Sequence, residues 1–153
     1  MTEHRMATDE RVQELWAIES IKKMRARVAR FLDTKQWDEF GDCFTADARL
    51  EAPEAGLCWE GQTEIVHRVS AGMNGVRSVH HLHAPEIEIT GPDSATGVWA
   101  MSDSLERTSP QGPKITNGYG HYIEGYERQN GKWRIRLLRL ERIRIDPDTW
   151  ACR

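Results

Sequence analysis

Cysteine is scarce in this chain of 153 residues: Cys43, Cys58 and Cys152 are the whole set. The count is odd and no pair has CxxC spacing, so the sequence offers neither a disulfide framework nor a zinc signature. Long apolar runs are missing too. No stretch approaches the ~18 apolar residues of a membrane-spanning helix, so no membrane is expected as a partner. The opening segment MTEHRMATDERVQ is polar and charged and lacks the apolar stretch of a secretory signal. A surplus of positive charge is also lacking. With 21 Lys and Arg against 24 Asp and Glu, the net charge is −3, which argues against nucleic acid as a partner because such binders carry a basic face. There is no internal repeat, no low-complexity tract and no domain boundary. These absences leave a reduced, cytoplasmic protein of one domain spanning 1–153, with residues 1–10 and 147–153 as tails. A chain of this length builds a real core without staples.

What is present is a change of period. From Thr8, TDERVQELWAIESIKKMRARVARFLD reads as a helix: Val12, Leu15, Trp16, Ile18, Ile21, Met24, Val28, Ala29 and Leu32 recur at threes and fours. A second short helix is expected at about 36–43, then a strand at 48–52, a short strand at 57–60 and a helix at 61–72. Beyond that the segments 78–90, 94–108, 116–129 and 131–146 alternate as strands. Asn130–Gly131 marks a hairpin turn. Helices followed by antiparallel strands mean an α+β fold with the helices packed on one face of the sheet. A strongly bent sheet closed in this way is a cone with a pocket inside.

Alternation then assigns faces. Gly97, Trp99, Met101, Asp103 and Leu105 share one side of their strand. A carboxylate in such a lining must be paired, hydrogen-bonded or protonated, unless Asp103 is already back in solvent at the strand end. In the next strand Gly120, Tyr122, Glu124 and Tyr126 share a face, and Tyr122 is a candidate pocket wall or hydroxyl donor. In VHHLH, His80 and Leu82 share a face, while His81 and His83 take the other. His81 and His83 at i and i+2 have the spacing of a metal pair. No further ligand sits nearby at suitable spacing, so no metal is expected. His80 alone reads as a structural histidine; as a base it needs a carboxylate to fix its tautomer. Asp33 meets that need. It lies at the C-terminal end of the long helix, where the macrodipole disfavours negative charge, and an imidazole N–H would compensate. The competing reading is a solvated turn aspartate. In the last strand Arg134, Arg136, Leu138, Leu140, Arg142 and Arg144 alternate against Trp133, Ile135, Leu137, Arg139, Glu141 and Ile143. Most of these arginines read as edge-strand charge. Arg142, beyond two leucines, is a candidate partner for Asp103 or for a ligand oxygen.

The segments FLDTKQWDEFGDCFTADARLEAP, VRSVHHLH, ATGVWAMSD and GYGHYIEGYERQNGKWRI…LERIRID resemble the SnoaL-like branch of the nuclear transport factor 2-like superfamily. The resemblance covers about residues 12–146. It is nearest to bile acid 7α-dehydratase-like proteins and extends to scytalone dehydratase and hexachlorocyclohexane dehydrochlorinase. It implies a cone-shaped α+β barrel and proton abstraction by a histidine that an aspartate orients, with no cofactor, in a homotrimer. Carried over by motif, His80 is the base, Asp33 orients it, and Asp103 and Arg142 handle the leaving oxygen. Tyr122, Trp99, Met101, Val28 and Leu82 would meet a small hydrophobic, ring-containing substrate such as a steroid, polyketide or aromatic compound. Val28 departs from the pattern, since the bile acid enzymes place a tyrosine five residues before the helix aspartate. The further histidine and Ser/Asn pair of scytalone dehydratase find no match. The implied activity is a dehydratase-type lyase. The same dyad would also serve an isomerase, a cyclase or a carbon–carbon lyase releasing formaldehyde, and the fold alone also suits a non-catalytic binding module.

Overall fold

A computed structural model describes residues 2–150 of the chain, with side chains from 9 to 146. Helix α1 (Thr2–Asp33) leads into α2 (Trp37–Gly41), strand β1 (Phe44–Ala52), a 3-10 turn (Pro53–Ala55), β2 (Leu57–Glu60) and α3 (Gln62–Gly72). Four long strands complete the chain: β3 (Val76–Gly91), β4 (Ser94–Ser109), β5 (Gly112–Gln129) and β6 (Lys132–Trp150). Helix and strand thus run through the expected tails, from Thr2 and as far as Trp150; Cys152 lies outside the described residues. Among the described residues no helix is long and apolar enough to cross a membrane.

The six strands form one mixed sheet in the order β2-β1-β6-β5-β4-β3, with β1 and β6 parallel and all other pairs antiparallel. The sheet is open at its edges. The last four strands are tied by two-residue turns. Asn130 and Gly131 both have positive φ, 52° and 75°, as a primed hairpin turn requires. Helix α1 packs on β3 and β6, and α3 packs on β1.

Two bulges shape the site. In β6, Ile135 pairs with Tyr126 but Leu137 pairs with Gly125, which leaves Arg136 as an extra residue. The parity of the strand flips there. Trp133 and Ile135 are buried before the bulge and Leu138 after it, with Leu140 and Arg142 continuing Leu138's side. Strict alternation, which set Trp133 and Ile135 against Leu138 and Arg142, fails at this one inserted residue. A second extra residue in β3, between Leu82 and Pro85, moves the inner face from His80 and Leu82 to Ile87 and Ile89. Bulges bend a sheet and raise its local twist, and here they curl it around the helices.

Helix α1 also departs from its apolar reading. Val12, Leu15 and Trp16 are 54, 62 and 72% exposed. The buried stripe is Ala17, Ile21, Met24, Arg25 and Val28, still at helical spacing but with an arginine in it.

Candidate active site

The end of α1 carries Asp33 to the start of β3. Its Oδ1 lies 2.7 Å from His80 Nδ1 and accepts a hydrogen bond from Ser78 Oγ at 2.9 Å, while Oδ2 accepts the His80 backbone N–H at 2.9 Å. Burial pushes the Asp33 carboxyl up, but the bonds from the His80 ring and main chain, the charge of the ring and the Ser78 hydroxyl together hold it below its ordinary value. An ionised Asp33 needs a donor on Nδ1, so the neutral ring carries its proton there and leaves Nε2 with a free lone pair. Nε2 has no partner among the described residues, and His80 lines the cavity.

That cavity has a volume of about 220 Å³. Val28 and Leu32 of α1, Leu50 of β1, Trp59 of β2 and Leu82 of β3 form much of its apolar wall. Tyr122 stands among them. Burial pushes its phenol up to about 12, more than Arg25 pulls it down, so it stays a protonated donor. Trp99 and Met101, expected to line the pocket, do not. Both are buried on the expected face, but the Arg25 guanidinium lies over the Trp99 ring at 5.9 Å and Arg142 Nη1 lies 3.7 Å from Met101 Sδ, so each is covered by an arginine.

A second pair faces the dyad across the sheet. His80 on β3 is the direct cross-strand neighbour of Asp103 on β4, which in turn neighbours Gly118 on β5. Arg142 comes from β6, one strand further, and its Nη2 meets Asp103 Oδ2 at 2.6 Å. The bond crosses β5 because Gly118 has no side chain. A Cβ on Gly118 would strike Arg142 Nη1 and stand 2.6 Å from Asp103 Oδ1. Asp103 is 3% exposed and Arg142 21%, so the pair is dry at the carboxylate and wet at the guanidinium.

Several participants have no signal that periodicity reveals. Arg25 Nη2 pairs with Glu124 Oε1 at 2.7 Å, with both side chains inaccessible or nearly so. Tyr126 donates to Glu124 Oε2 at 2.6 Å and Trp99 Nε1 donates to the Tyr126 hydroxyl at 2.7 Å. Burial raises the Glu124 carboxyl while Arg25 and Tyr126 pull it back. Alternation places Glu124 on the face of Tyr122, but nothing in the apolar stripe around Arg25 marks that arginine as buried. His81 and His83 are exposed on the outer face, away from His80. Among the described residues no group of three or more His, Cys, Asp and Glu is arranged to hold a metal.

Residues 13–139 match the family model of the SnoaL-like domain. A relative from Gibberella zeae named as the cyclase FGR4 is 25% identical over 133 residues, covering 80% of this chain and 89% of its own. Among solved structures, an assigned scytalone dehydratase from Novosphingobium aromaticivorans aligns with a TM-score of 0.79 at 16% identity, over 92% of this chain and 96% of its own. A type 2 hexachlorocyclohexane dehydrochlorinase aligns at 0.79 and 15%, over 89 and 91%. The two structures are alike in fold.

Proposed function

The chain belongs to the SnoaL-like domain family, and from that premise we propose that it is a cofactor-independent lyase of the dehydratase type. The observation that carries this reading is an oriented imidazole with a free Nε2 at the wall of an apolar cavity, facing an Asp–Arg pair one strand away. His80 removes a proton from carbon, Asp33 holds the ring and stabilises the imidazolium that forms, Asp103 holds Arg142 so that its N–H groups donate to the departing oxygen, and that oxygen leaves as water with the proton that the imidazolium returns. Tyr122, Val28 and Leu82 contact the ring system. With valine at 28, no phenol from α1 assists the leaving group, so that role falls to Asp103, Arg142 and the Tyr122 hydroxyl.

Charge and size narrow the substrate. Of the three arginines that line the cavity, Arg142 is matched by Asp103, Arg25 by Glu124 and Arg68 by Glu64, so an anionic ligand finds no unmatched counter-charge and would be desolvated without return. The substrate is therefore uncharged. An apolar cavity of about 150 Å³ takes benzene. At about 220 Å³ this one suits a one- or two-ring aromatic or polyketide compound, whereas a steroid would extend out through the mouth. The test is a panel of neutral ring-containing β-hydroxy ketones followed by mass spectrometry, where loss of the mass of water marks turnover. A shifted retention at constant mass would mark the second reading, isomerisation or cyclisation on the same dyad. That reading draws on the cyclase-named relative and on the absent phenol at 28. A His80→Ala protein that converts the panel as the wild type does would sink both.

Asp103→Asn keeps shape and some hydrogen bonding but removes the charge that holds Arg142. We expect near-normal stability, because Arg142 keeps its contact with water, and about 10²-fold lower kcat/KM. Full activity would make the carboxylate a packing feature and leave assistance at the departing oxygen to Tyr122 or water.

The assembled form is a homotrimer in this reading. Val79, Ile143 and Ile145 on the sheet are 48, 73 and 55% exposed, apolar surface that a lone protein would not favour. Light scattering at micromolar concentration measures this directly, and a monomer would refute it.

A further inference from the structure

Lys35 is one of two described non-glycine residues with positive φ, at 59°. It occupies the position after α1 where chains turn left-handed. Gln36 N–H donates to Phe31 O at 2.9 Å and Lys35 N–H to Leu32 O at 3.3 Å, the pattern of a Schellman cap. Glycine fills that position without strain, and lysine does not. Strain at a site asks what the side chain does in return.

The lysine side chain turns back toward the dyad. Its Nζ donates to Ser78 Oγ at 3.0 Å, and the Ser78 hydroxyl donates in turn to Asp33 Oδ1 at 2.9 Å, the same oxygen that holds His80 Nδ1. Burial lowers Lys35 and the charge of Asp33 raises it again. The other charged groups near the dyad are already matched. Arg77, on the outer face of β3, pairs with Glu106 of β4 at 3.1 Å, and Arg142 of β6 pairs with Asp103 of β4. Lys35 is in no ion pair among the described residues. It also sits where the last carbonyls of α1 concentrate negative potential.

We propose that Lys35, acting through Ser78, is a positioning residue for the dyad: it holds Asp33 anionic and in place against the helix terminus, and so sets how readily the dyad takes up a proton. This rests on the reading of His80 and Asp33 as a proton-transfer pair, yet its test does not need a substrate. Long-range nitrogen–proton NMR of the His80 ring, recorded against pH on the full chain, follows the tautomer and the titration midpoint. Lys35→Met removes a positive charge at a distance of two hydrogen bonds. The midpoint should move to higher pH, because a nearby positive charge opposes proton uptake, while Lys35→Arg keeps it near the wild-type value. Ser78→Ala should move it in the same direction and serves if a Lys35 variant fails to fold. Lys35→Gly should show the same shift with Tm unchanged or higher by roughly 2–4 °C as the backbone strain is relieved. An unaltered midpoint and tautomer in Lys35→Met would overturn the inference, as would a Lys35→Arg protein that behaves like Lys35→Met. A shifted midpoint with turnover unchanged would leave Lys35's role standing and remove His80 from the chemistry instead.

Discussion

His80→Ala is expected to lower kcat/KM by about 10²–10⁴-fold, the usual contribution of a positioned general base, while the fold survives. The ring is tied to the protein through Asp33, and its free nitrogen serves no structural bond. Alanine leaves Asp33 with donors from the His80 backbone N–H and Ser78, so the carboxylate is not orphaned. Thermal unfolding should shift by only a few degrees. Asp33→Asn is the companion variant. An amide can present N–H to Nδ1 and reverse the ring's tautomer, placing the proton on Nε2 where the lone pair is needed. Its loss should approach that of His80→Ala, and the double variant should be little worse than either, as for residues that act as a unit. Two independent, additive losses would break the dyad apart. The same carboxylate gives a stability signature. Its folded value lies below the ordinary 3.8, so its contribution is fully present above that pH and fades as pH falls through the lowered value. Asp33→Asn should flatten that acid limb of Tm against pH.

Removing one member of the Arg25–Glu124 pair should produce the largest stability loss in the molecule. Both side chains are essentially inaccessible, and a buried pair broken on one side leaves an uncompensated charge that costs about 3–5 kcal/mol. At about 2–4 °C per kcal/mol for a chain of this size, Arg25→Met or Glu124→Leu should lower Tm by roughly 6–20 °C. Glu124 also anchors the Tyr126 hydroxyl, which holds Trp99, so its loss reaches further than that of Arg25. The double variant Arg25→Met/Glu124→Leu should recover part of the deficit, since no buried charge is left unpaired, although the Tyr126 hydroxyl still loses its acceptor. Thermal melts of the four proteins form a double-mutant cycle. A coupling near zero would mean that the pair does not stabilise the fold.

Much of the frame is legible in the sequence because it is written in periods. The switch from helical spacing to alternation separates α1–α3 from β3–β6, and the Asn130–Gly131 pair marks its turn by backbone chemistry alone. Counting puts His80 on the face of Leu82 and Asp103 on the face of Trp99 and Met101, and the two are direct cross-strand neighbours. Counting fails where one residue is inserted. Arg136 shifts the parity of β6, and no local property of an arginine among arginines distinguishes it. Counting also misses polar residues in apolar company. Arg25 occupies a core position because Glu124, ninety-nine places later in the chain, neutralises it, and no window around either residue contains both. Gly118 reads as a weak point in a strand until Arg142 is seen to pass over it. Lys35 looks like any basic residue near a helix end; its backbone angle gives it away.

The placing of β6 between β1 and β5 has a consequence for how the protein comes into being. Phe44 on β1 pairs with Ile135, about 90 residues later. A ribosome adding roughly 5–20 residues per second takes on the order of 5–20 s to cover that interval. For that time the β1–β2 hairpin has no sheet to join, and the growing β3–β5 meander ends in an unpaired edge, first β3, then β4, then β5. Such edges invite pairing with other chains. Parallel contacts of this range also close slowly, because loop entropy is spent before any bond is gained. The strand that completes the sheet is the one that delivers Arg142. The Asp103–Arg142 pair and the covered edge of the sheet therefore arrive in the same late step, and the nascent protein is most exposed to aggregation before that pair has formed.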